Sequence, residues 1–171
     1  MRKILIIALT VCSSLAAAGT TPAPQHSAQI AQLAAQVMCS PRITDRTTAA
    51  QISDGFINQA KALPKLRFDQ QAVPAAIGVS FGVVFQPEHA LAGVRNLTYR
   101  PNQAKPDVYY ADIPAKPDRF NGFSFELPEE LQIGLWRFES WQGDSLLYRA
   151  EFQVVPADSL PQLVAQCQGM S

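Results

Sequence analysis

The residue types that most often carry catalysis are sparse in this chain of 171 residues. Its two histidines are His26, in the leading segment, and His89, in a loop beside Glu88. A nucleophilic triad needs a general base, most often imidazole, and the side chains of adjacent residues such as Glu88 and His89 generally point apart. We therefore interpret His89 as a solvated loop histidine rather than a catalytic base.

The sequence also lacks the usual patterns of metal-binding and nucleotide-binding sites. Zinc sites need clustered His, Cys, Asp or Glu at ligand spacing, whereas the histidines and cysteines of this chain are scattered. No glycine-rich phosphate loop joins a predicted strand to a predicted helix. The sequence therefore predicts no metal site and no cofactor.

Carboxylates are the remaining catalytic candidates, because a glycosidase needs only two of them. They fall into two regions, the first with Asp107 and Asp112 and the second with Asp118, Glu126, Glu129 and Glu130. The adjacent pair Glu129–Glu130 fits a polar turn between strands better than an acid–base pair. A hydrolase that uses acidic residues stays as an alternative function.

The first 18 residues have the three zones of a secretory signal peptide. Arg2 and Lys3 form a basic head, residues 4–11 form an apolar run, and Ala16 and Ala18 supply the small residues of a cleavage site. The apolar run is too short to span a bilayer, which takes roughly 20 residues. We expect export to the periplasm, with no membrane anchor after cleavage.

Cysteine usage agrees with export. Cys12 leaves with the signal peptide, and the two cysteines that remain, Cys39 and Cys167, are an even number in an oxidising compartment. Each is predicted at the end of a helix that flanks the main domain, so a disulfide between them would join the two ends of the chain. Two free thiols are the alternative, and redox chemistry is disfavoured because the chain has no Cys-x-x-Cys motif.

The charge balance argues against two classes of partner. Charged residues make up 16% of the chain, below the roughly 25% that is typical of soluble proteins. Without Arg2 and Lys3, the chain has two more acidic than basic residues. Nucleic acids and anionic membranes select clustered lysine and arginine, so we expect neither as a partner.

The stretch that says most about the fold is 134–155, which has the pattern of two β-strands joined by a turn. Apolar residues occupy every second position of both strands and alternate with charged or polar ones, which predicts an antiparallel hairpin with one buried face. A three-residue loop at 143–145 keeps the buried and the exposed faces consistent. The predicted cross-strand pairs are Trp136–Phe152, Phe138–Ala150, Arg137–Glu151 and Glu139–Arg149.

Five further segments are predicted as strands between turns rich in proline and glycine. They cover residues 51–58, 77–85, 91–99, 108–113 and 120–127, whereas 62–74 is predicted as a loop. In 77–85 large apolar residues share one face, and glycine and serine on the other face allow a neighbouring backbone or side chain to approach closely. About seven short strands in all indicate a mainly β, antiparallel β-sandwich.

A helix is predicted on each side of these strands. Residues 28–38 follow Ser27 as an N-cap and place four apolar residues on one face; a spacer or partly ordered arm is the alternative. A second helix covers 158–167, with Asp158 or Ser159 as its cap and Pro161 in the first turn.

These elements divide the chain into four parts. They are a signal peptide (1–18), a linker with the N-terminal helix (19–46), a β-sandwich domain (47–156) and a C-terminal helix with a tail (157–171).

Several short motifs follow one another in a definite order within the β-domain. They are Gly78-Val-Ser-Phe-Gly82, Gly122-Phe-Ser-Phe125, Glu130-Leu131, Gly134-Leu-Trp136 and Phe152-Gln-Val154. In this order they resemble a family of exported bacterial domains of unknown function, over about 51–155. The resemblance implies an immunoglobulin-like β-sandwich without an assigned activity, so it assigns no functional residues.

Aromatic residues are the strongest candidates for a binding surface. The predicted register places Trp141 near the hairpin tip, on the outer face with Arg137 and Glu139, and Tyr109 and Tyr110 must point to opposite sides of their strand. Solvent-facing aromatics often mark binding surfaces. The alternative is that Trp141 packs under the N-terminal helix or a loop.

From these residues we expect a non-enzymatic, exported protein that binds a protein or an envelope component through a sheet face or edge. An inhibitor or immunity-type protein that inserts a loop into another enzyme is a second alternative, beside the hydrolase.

Overall fold

Twelve β-strands and one α-helix make up most of the described chain. The computed structural model describes residues 21–50, 52, 55–60, 62–115 and 118–169, so the predicted signal peptide, 1–18, lies outside the described residues. The strands are β1 (Gln25–His26), β2 (Ile30–Cys39), β3 (Ile43–Thr48), β4 (Phe56–Ala60), β5 (Arg67–Phe68), β6 (Ala72–Ala75), β7 (Val79–Pro87), β8 (Leu91–Tyr99), β9 (Asp107–Ile113), β10 (Arg119–Ser124), β11 (Gly134–Gln142) and β12 (Ser145–Pro156). Helix α1 (Pro161–Gln168) follows, and Pro128–Glu130 and Ala157–Ser159 form 3₁₀ turns. The protein is mainly β, as predicted, but the expectation of about seven strands is wrong, because segments predicted as a helix and a loop are also strands.

The hairpin of β11 and β12 lies in the middle of the larger sheet, called sheet A here. The strand order is β1-β12-β11-β8-β9, and β6 also pairs with β12. All neighbours are antiparallel except β6, which runs parallel to the end of β12. Strand β9 is therefore an edge of sheet A.

The predicted hairpin register is confirmed along most of its length. Trp136 lies opposite Phe152 and Glu139 lies opposite Arg149, as the alternation requires. The predicted three-residue loop is wrong, since Gln142 pairs with Ser145 and the loop is the two residues 143–144. The register shifts by one residue between Ser140 and Trp141. Leu147 lies unpaired at this bulge and is completely buried. The bulge also keeps the buried faces of the two strands on the same side, which a two-residue loop alone would not do.

The smaller sheet, sheet B, contains the segment that was predicted as the N-terminal helix. Its strand order is β10-β7-β2-β5, so β2 is a central strand. The helix prediction is wrong, because nine residues of β2 pair with β7. Alanine and glutamine favour helices in isolation, but pairing on both sides of β2 and burial of Val37 and Met38 outweigh that preference.

Strands β3 and β4 form a separate two-stranded hairpin. The strand predicted at 51–58 is only partly correct: β4 begins at Phe56, Ile52 is not in a strand, and residues 51, 53 and 54 lie outside the described residues. The predicted loop 62–74 is also partly wrong, because β5 and β6 form within it. Most side chains of β3 and β4 are exposed. Because neither strand has one clearly buried face, the sequence pattern gives little indication of where these strands begin and end.

The two sheets face each other across a shared aromatic core. Phe81 of β7 is fully buried, and its ring centroid lies 5.2 Å from that of Trp136, 5.5 Å from that of Phe152 and 5.7 Å from that of Phe138. All three ring pairs, with interplanar angles of 83°, 62° and 70° respectively, have the edge-to-face geometry that aromatic rings favour. Phe81 belongs to sheet B and the other three rings to sheet A, so this cluster joins the sheets.

The predicted close approach at the small-residue face of β7 is confirmed. Gly82 lies opposite Gly122 of β10, and a Cβ atom on Gly82 would lie 2.3 Å from the carbonyl oxygen of Asn121. The two backbones can therefore approach this closely only because both positions are glycine.

The C-terminal helix is confirmed as α1, and it is joined to β2 by a disulfide between Cys39 and Cys167. Pro161 is in the first turn as predicted, but the N-cap residue is Leu160 and no side chain caps the helix, so the predicted cap at Asp158 or Ser159 is wrong. Leu163 and Cys167 are buried against the core. Among the described residues, no helix has the length and apolar character needed to cross a membrane.

Candidate functional site

A row of side chains crosses the outer face of sheet A near the hairpin tip. Trp141 of β11 lies opposite Arg95 of β8, and Arg95 lies opposite Tyr110 of β9. Directly opposed residues in antiparallel strands point to the same side, so the three side chains share one face, called the outer row here. Tyr110 is 63% exposed and Trp141 is half-buried. The structure thus leaves the aromatic residues predicted at this face accessible, at least in part.

Glu139, next to the outer row, holds its neighbours in place. Its side chain is almost completely buried, and it accepts hydrogen bonds from Trp141 Nε1 at 3.0 Å and Arg149 Nε at 2.8 Å. Arg137 Nε lies 3.0 Å from the same carboxylate as an ion pair, and the Arg137 guanidinium stacks 4.0 Å from the centre of the Tyr99 ring. This one carboxylate therefore orients a tryptophan and two arginines on the outer face.

Tyr109 does not share the outer face with Tyr110. Its hydroxyl points between the sheets and donates a hydrogen bond to Asn121 Oδ1 at 2.8 Å. Burial, and to a smaller extent the neighbouring Tyr148, raise the pKa of Tyr109 well above its ordinary value of 10.0. The hydroxyl is therefore a neutral donor at any physiological pH. As predicted, the two adjacent tyrosines point to opposite sides.

Tyr109 belongs to a polar cluster inside the core. Asn121 Nδ2 donates to Tyr148 Oη at 2.7 Å and to Asn96 Oδ1 at 3.3 Å, and Ser140 Oγ also donates to Asn96 Oδ1. Burial raises the pKa of Tyr148 far above 10.0, although hydrogen bonds with Ser140 and Asn121 act in the opposite direction. These groups join β8, β9, β10, β11 and β12, and all of them are uncharged.

The polar cluster borders an open groove of about 720 Å³. The groove lies between β9, the edge of sheet A, and β10, the edge of sheet B, with the β3–β4 hairpin on its outer side. We call it the edge groove. Asn96, Thr98 and Asn121 are among its polar lining residues, and Phe85 and Ile113 are among its apolar ones.

The β3–β4 hairpin is attached to the rim of the edge groove through Glu126. Arg46 Nη2 lies 3.0 Å from Glu126 Oε2, and Asn58 Nδ2 lies 2.7 Å from Glu126 Oε1. Exposed ion pairs of this kind contribute little, about 0–1 kcal/mol. The hairpin is thus a weakly held cover on one side of the groove.

The carboxylates that were considered for hydrolysis mostly have structural partners. Asp107 pairs with Arg100 at 3.0 Å, with both side chains buried, and Glu130 accepts hydrogen bonds from the backbone of Glu126 and Leu127 at 2.6 and 2.8 Å. Asp112 accepts one from the Gly93 backbone at 2.8 Å. The polar turn predicted at Glu129–Glu130 is the 3₁₀ turn, and Glu130 stabilises its start.

In the part of the chain that the structure describes, neither histidine forms a hydrogen bond or an ion pair with a carboxylate or a thiol. His26 Nδ1 lies 3.1 Å from its neighbour's carbonyl oxygen, Ser27 O, and is exposed, and His89 is exposed in the loop after β7. Over the described ranges, no group of three or more His, Cys, Asp or Glu could hold a metal ion.

Sequence reasoning missed the polar residues of the edge groove. Asn96, Asn121 and Arg119 lie on predicted strands or at their ends, where asparagine is uncommon. Asn96 and Asn121 also occupy positions of the period-two pattern that face the core. A polar residue on a core-facing position is the signal that would have indicated a buried polar site.

The chain is similar to one protein family and to a solved structure. Residues 42–154 match the family described as "Domain of unknown function (DUF3859)". The solved structure of an immunoglobulin-like protein from Pseudomonas aeruginosa is similar to the chain, with a TM-score of 0.47 and 19% sequence identity, over 80% of this chain and 100% of that one. No curated protein matches the chain significantly.

The family match confirms the resemblance to a family of domains of unknown function. It begins at residue 42 and ends at residue 154, and so leaves β2, α1 and both cysteines of the disulfide outside it. Because the match covers more than half of the chain, this protein belongs to the DUF3859 family.

Proposed function

We propose that this protein is an exported, non-enzymatic binding protein of the periplasm, with an immunoglobulin-like β-sandwich that recognises a partner protein of the envelope through the outer row. The observation that carries the proposal is the outer row itself, with Tyr110 63% exposed beside Arg95 and the half-buried Trp141. Tyrosine, tryptophan and arginine are the residue types that dominate binding energy at protein interfaces.

Preorganisation supports the same proposal. Trp141, Arg137 and Arg149 are oriented by Glu139 before any partner arrives. Less side-chain freedom is then lost on binding, which raises affinity for a given contact area. The three arginines that face outward, Arg95, Arg137 and Arg149, would complement an acidic partner surface.

The two alternative functions receive less support. A hydrolase needs two carboxylates facing a substrate, whereas Asp107, Asp112, Glu126 and Glu130 each have a partner within the protein. An inhibitor needs a protruding loop, and the candidate loop 87–89 is held to the body by a hydrogen bond from the Glu88 backbone to Gln29 O at 2.9 Å.

Export is tested by fractionating cells that produce the full chain and measuring the mass of the protein in each fraction. We expect a periplasmic protein that has lost residues 1–18. A chain that keeps Met1 and stays in the cytosol would contradict the export part of the proposal.

Binding through the outer row is tested with a photoreactive phenylalanine derivative in place of Tyr110. We expect one specific crosslinked partner from this position, and its loss when Arg95→Gln or Trp141→Phe is added. The matched control carries the same derivative in place of Ile77, a residue between β6 and β7 that is 47% exposed and lies outside both the outer row and the groove described above. Equal crosslinking from both positions, or none from Tyr110, would contradict the assignment of the outer row.

A further inference from the structure

The edge groove presents hydrogen-bond donors that no acceptor in the described part of the chain satisfies. Asn96 is 2% exposed; its Oδ1 accepts two hydrogen bonds, but its Nδ2 makes none to a described residue. The hydroxyl of Thr98, which is 8% exposed, also makes none there. Both residues line the groove. Neither donor atom is fully buried, so a ligand in the groove that brings acceptors can reach both and replace the water they would otherwise bind.

Arg119 adds a positive charge to the same groove. It lines the groove, it is half-buried, and its guanidinium forms no ion pair with any residue of the described ranges. Its Nε is buried there without a hydrogen-bond partner. The lining carboxylates Asp107, Asp112, Glu126 and Glu130 are already engaged as described above, and Asp118 is exposed. An anionic group on a ligand would therefore be the natural partner of Arg119.

The three donors follow one another along the groove. Asn121 of β10 contacts Asn96 of β8, and the Arg100 guanidinium, beyond the end of β8, lies 4.5 Å from the centre of the Phe123 ring of β10. Strands β8 and β10 thus run in the same direction, and the order along the groove is Arg119, Asn96, Thr98. Residues two apart on a strand are about 7 Å apart.

We propose that the edge groove binds the C-terminal segment of an extended polypeptide, with its free carboxylate at Arg119 and its backbone carbonyl oxygens at Asn96 and Thr98. Carbonyls on one side of an extended chain recur at every second residue, about 7 Å apart, and so match the spacing of the donors. Edge strands β9 and β10 each pair on one side only, and their free backbone groups suit recognition of a strand-like ligand.

The residues that line the groove also restrict which side chains the bound peptide can have. Phe85 and Ile113 line the groove from the two sheets, and Ile57 lines it from the β3–β4 hairpin. These surfaces suit apolar side chains at alternate positions of the peptide. The acidic residues around the groove favour a singly charged carboxylate over a doubly charged phosphate, because each added negative charge would be repelled by them.

The test is fluorescence anisotropy with the full mature protein and a labelled hexapeptide in which valine and leucine alternate with serine. Its control is the same peptide with a C-terminal amide. We expect saturable binding of the free acid and binding of the amide weaker by about tenfold or more, since a charge-assisted hydrogen bond is lost. Arg119→Gln should weaken binding of the acid by about as much and remove the difference between acid and amide.

Two further variants and a folding control distinguish peptide binding in the groove from binding at the outer row and from loss of the folded state. Thr98→Val keeps the side-chain shape and should lower the affinity for both peptides by about fivefold, which corresponds to the loss of one neutral hydrogen bond. Arg95→Gln removes an arginine of the outer row and should change neither affinity. Thermal unfolding of each variant shows whether it is folded.

Five outcomes would overturn the proposal, and four of them come from the binding measurements above. They are absence of binding up to millimolar peptide, equal affinity for acid and amide, unchanged affinity in folded Arg119→Gln, and a loss of affinity in Arg95→Gln. Displacement of the peptide by octanoate at equal concentration would overturn it too, because it would assign the groove to small acids. None of these results bears on crosslinking at Tyr110, so this inference and the proposed function can fail separately.

Discussion

Tyr109 and Tyr110 are adjacent in sequence but have opposite environments. Tyr110 is exposed on the outer row, whereas the hydroxyl of Tyr109 is bonded to Asn121 between the sheets. The alternation of a strand explains why the two differ. It does not explain which of them is buried, because that depends on Asn121, which approaches from the other sheet.

The raised pKa of Tyr109 makes stability depend on pH in the alkaline range. In the unfolded chain this hydroxyl ionises near its ordinary pKa of 10.0, whereas in the folded protein its pKa is higher. The unfolded state therefore binds fewer protons as the pH rises above 10, and the free energy of unfolding falls there. We expect this loss to be smaller in Tyr109→Phe, measured by urea denaturation at pH 8, 10 and 11.

The same variant should be less stable at pH 8 by about 1 kcal/mol, because the hydrogen bond to Asn121 is lost. Tyr110→Phe is the matched control, and it should change stability by less than about 0.5 kcal/mol at pH 8. If Tyr109→Phe has the same pH dependence as the original protein, the burial of this hydroxyl is contradicted.

At the scale of elements, β2 and β7 show how pairing decides the conformation of an ambiguous segment. Leu33, Ala35, Val37 and Cys39 of β2 lie opposite the core-facing residues of β7. This period-two pattern is present in the sequence, but the alanines and glutamines between these positions also fit a helix. Only the neighbouring strands decide between the two, because each supplies hydrogen bonds that a helix would make within itself.

The close contact between β7 and β10 gives a prediction for Gly82. Its added Cβ would lie 2.3 Å from Asn121 O and 2.4 Å from Gly122 Cα, both backbone atoms. Because neither backbone can move without disturbing the ladder, we expect Gly82→Ala to lower the free energy of unfolding by about 2–3 kcal/mol. Urea denaturation measures the loss.

Gly169→Ala is the control, since its Cβ would find its nearest atom at 3.4 Å and it lies at the end of α1. We expect it to change stability by less than about 0.5 kcal/mol. A Gly82→Ala protein as stable as the original would mean that β7 and β10 are farther apart than described.

At the scale of the whole molecule, the disulfide encloses the entire family-matched region. Cys39 ends β2 and Cys167 lies in α1, 128 residues apart, and the matched residues 42–154 lie between them. Helix α1 has only eight residues, and so short a helix is not stable by propensity alone. The disulfide therefore holds α1 against the sheets.

We expect the double variant Cys39→Ser, Cys167→Ser to lose up to about 4.7 kcal/mol of unfolding free energy, the chain-entropy value for a loop of about 100 residues. The measurement is urea denaturation of both proteins without reductant. Reductant should destabilise the original protein and leave the variant unchanged. Alkylation, without reductant, of a chain that lacks residues 1–18, followed by mass measurement, should add no alkyl group; addition of two would show that the bond is absent.

The sequence alone determined the elements with regular alternation. The register of Trp136 with Phe152 follows from it, because a period of two leaves one face for the core and makes a one-residue slip costly. The boundaries of β8 follow from the turns rich in proline and glycine that flank it. The pairing of Cys39 with Cys167 also followed from counting, since only two cysteines remain after residue 18.

Only the tertiary structure decided the conformation of β2, the bulge at Leu147 and the edge groove. A two-residue loop reverses the faces of the two strands, and the bulge restores them two residue pairs farther along the hairpin. The alternation alone does not distinguish this combination from a longer loop without a bulge. The groove brings together Asn96, Thr98 and Arg119 from strands of different sheets. Contacts between residues distant in sequence depend on how the sheets stack, and local propensity carries no information about that stacking.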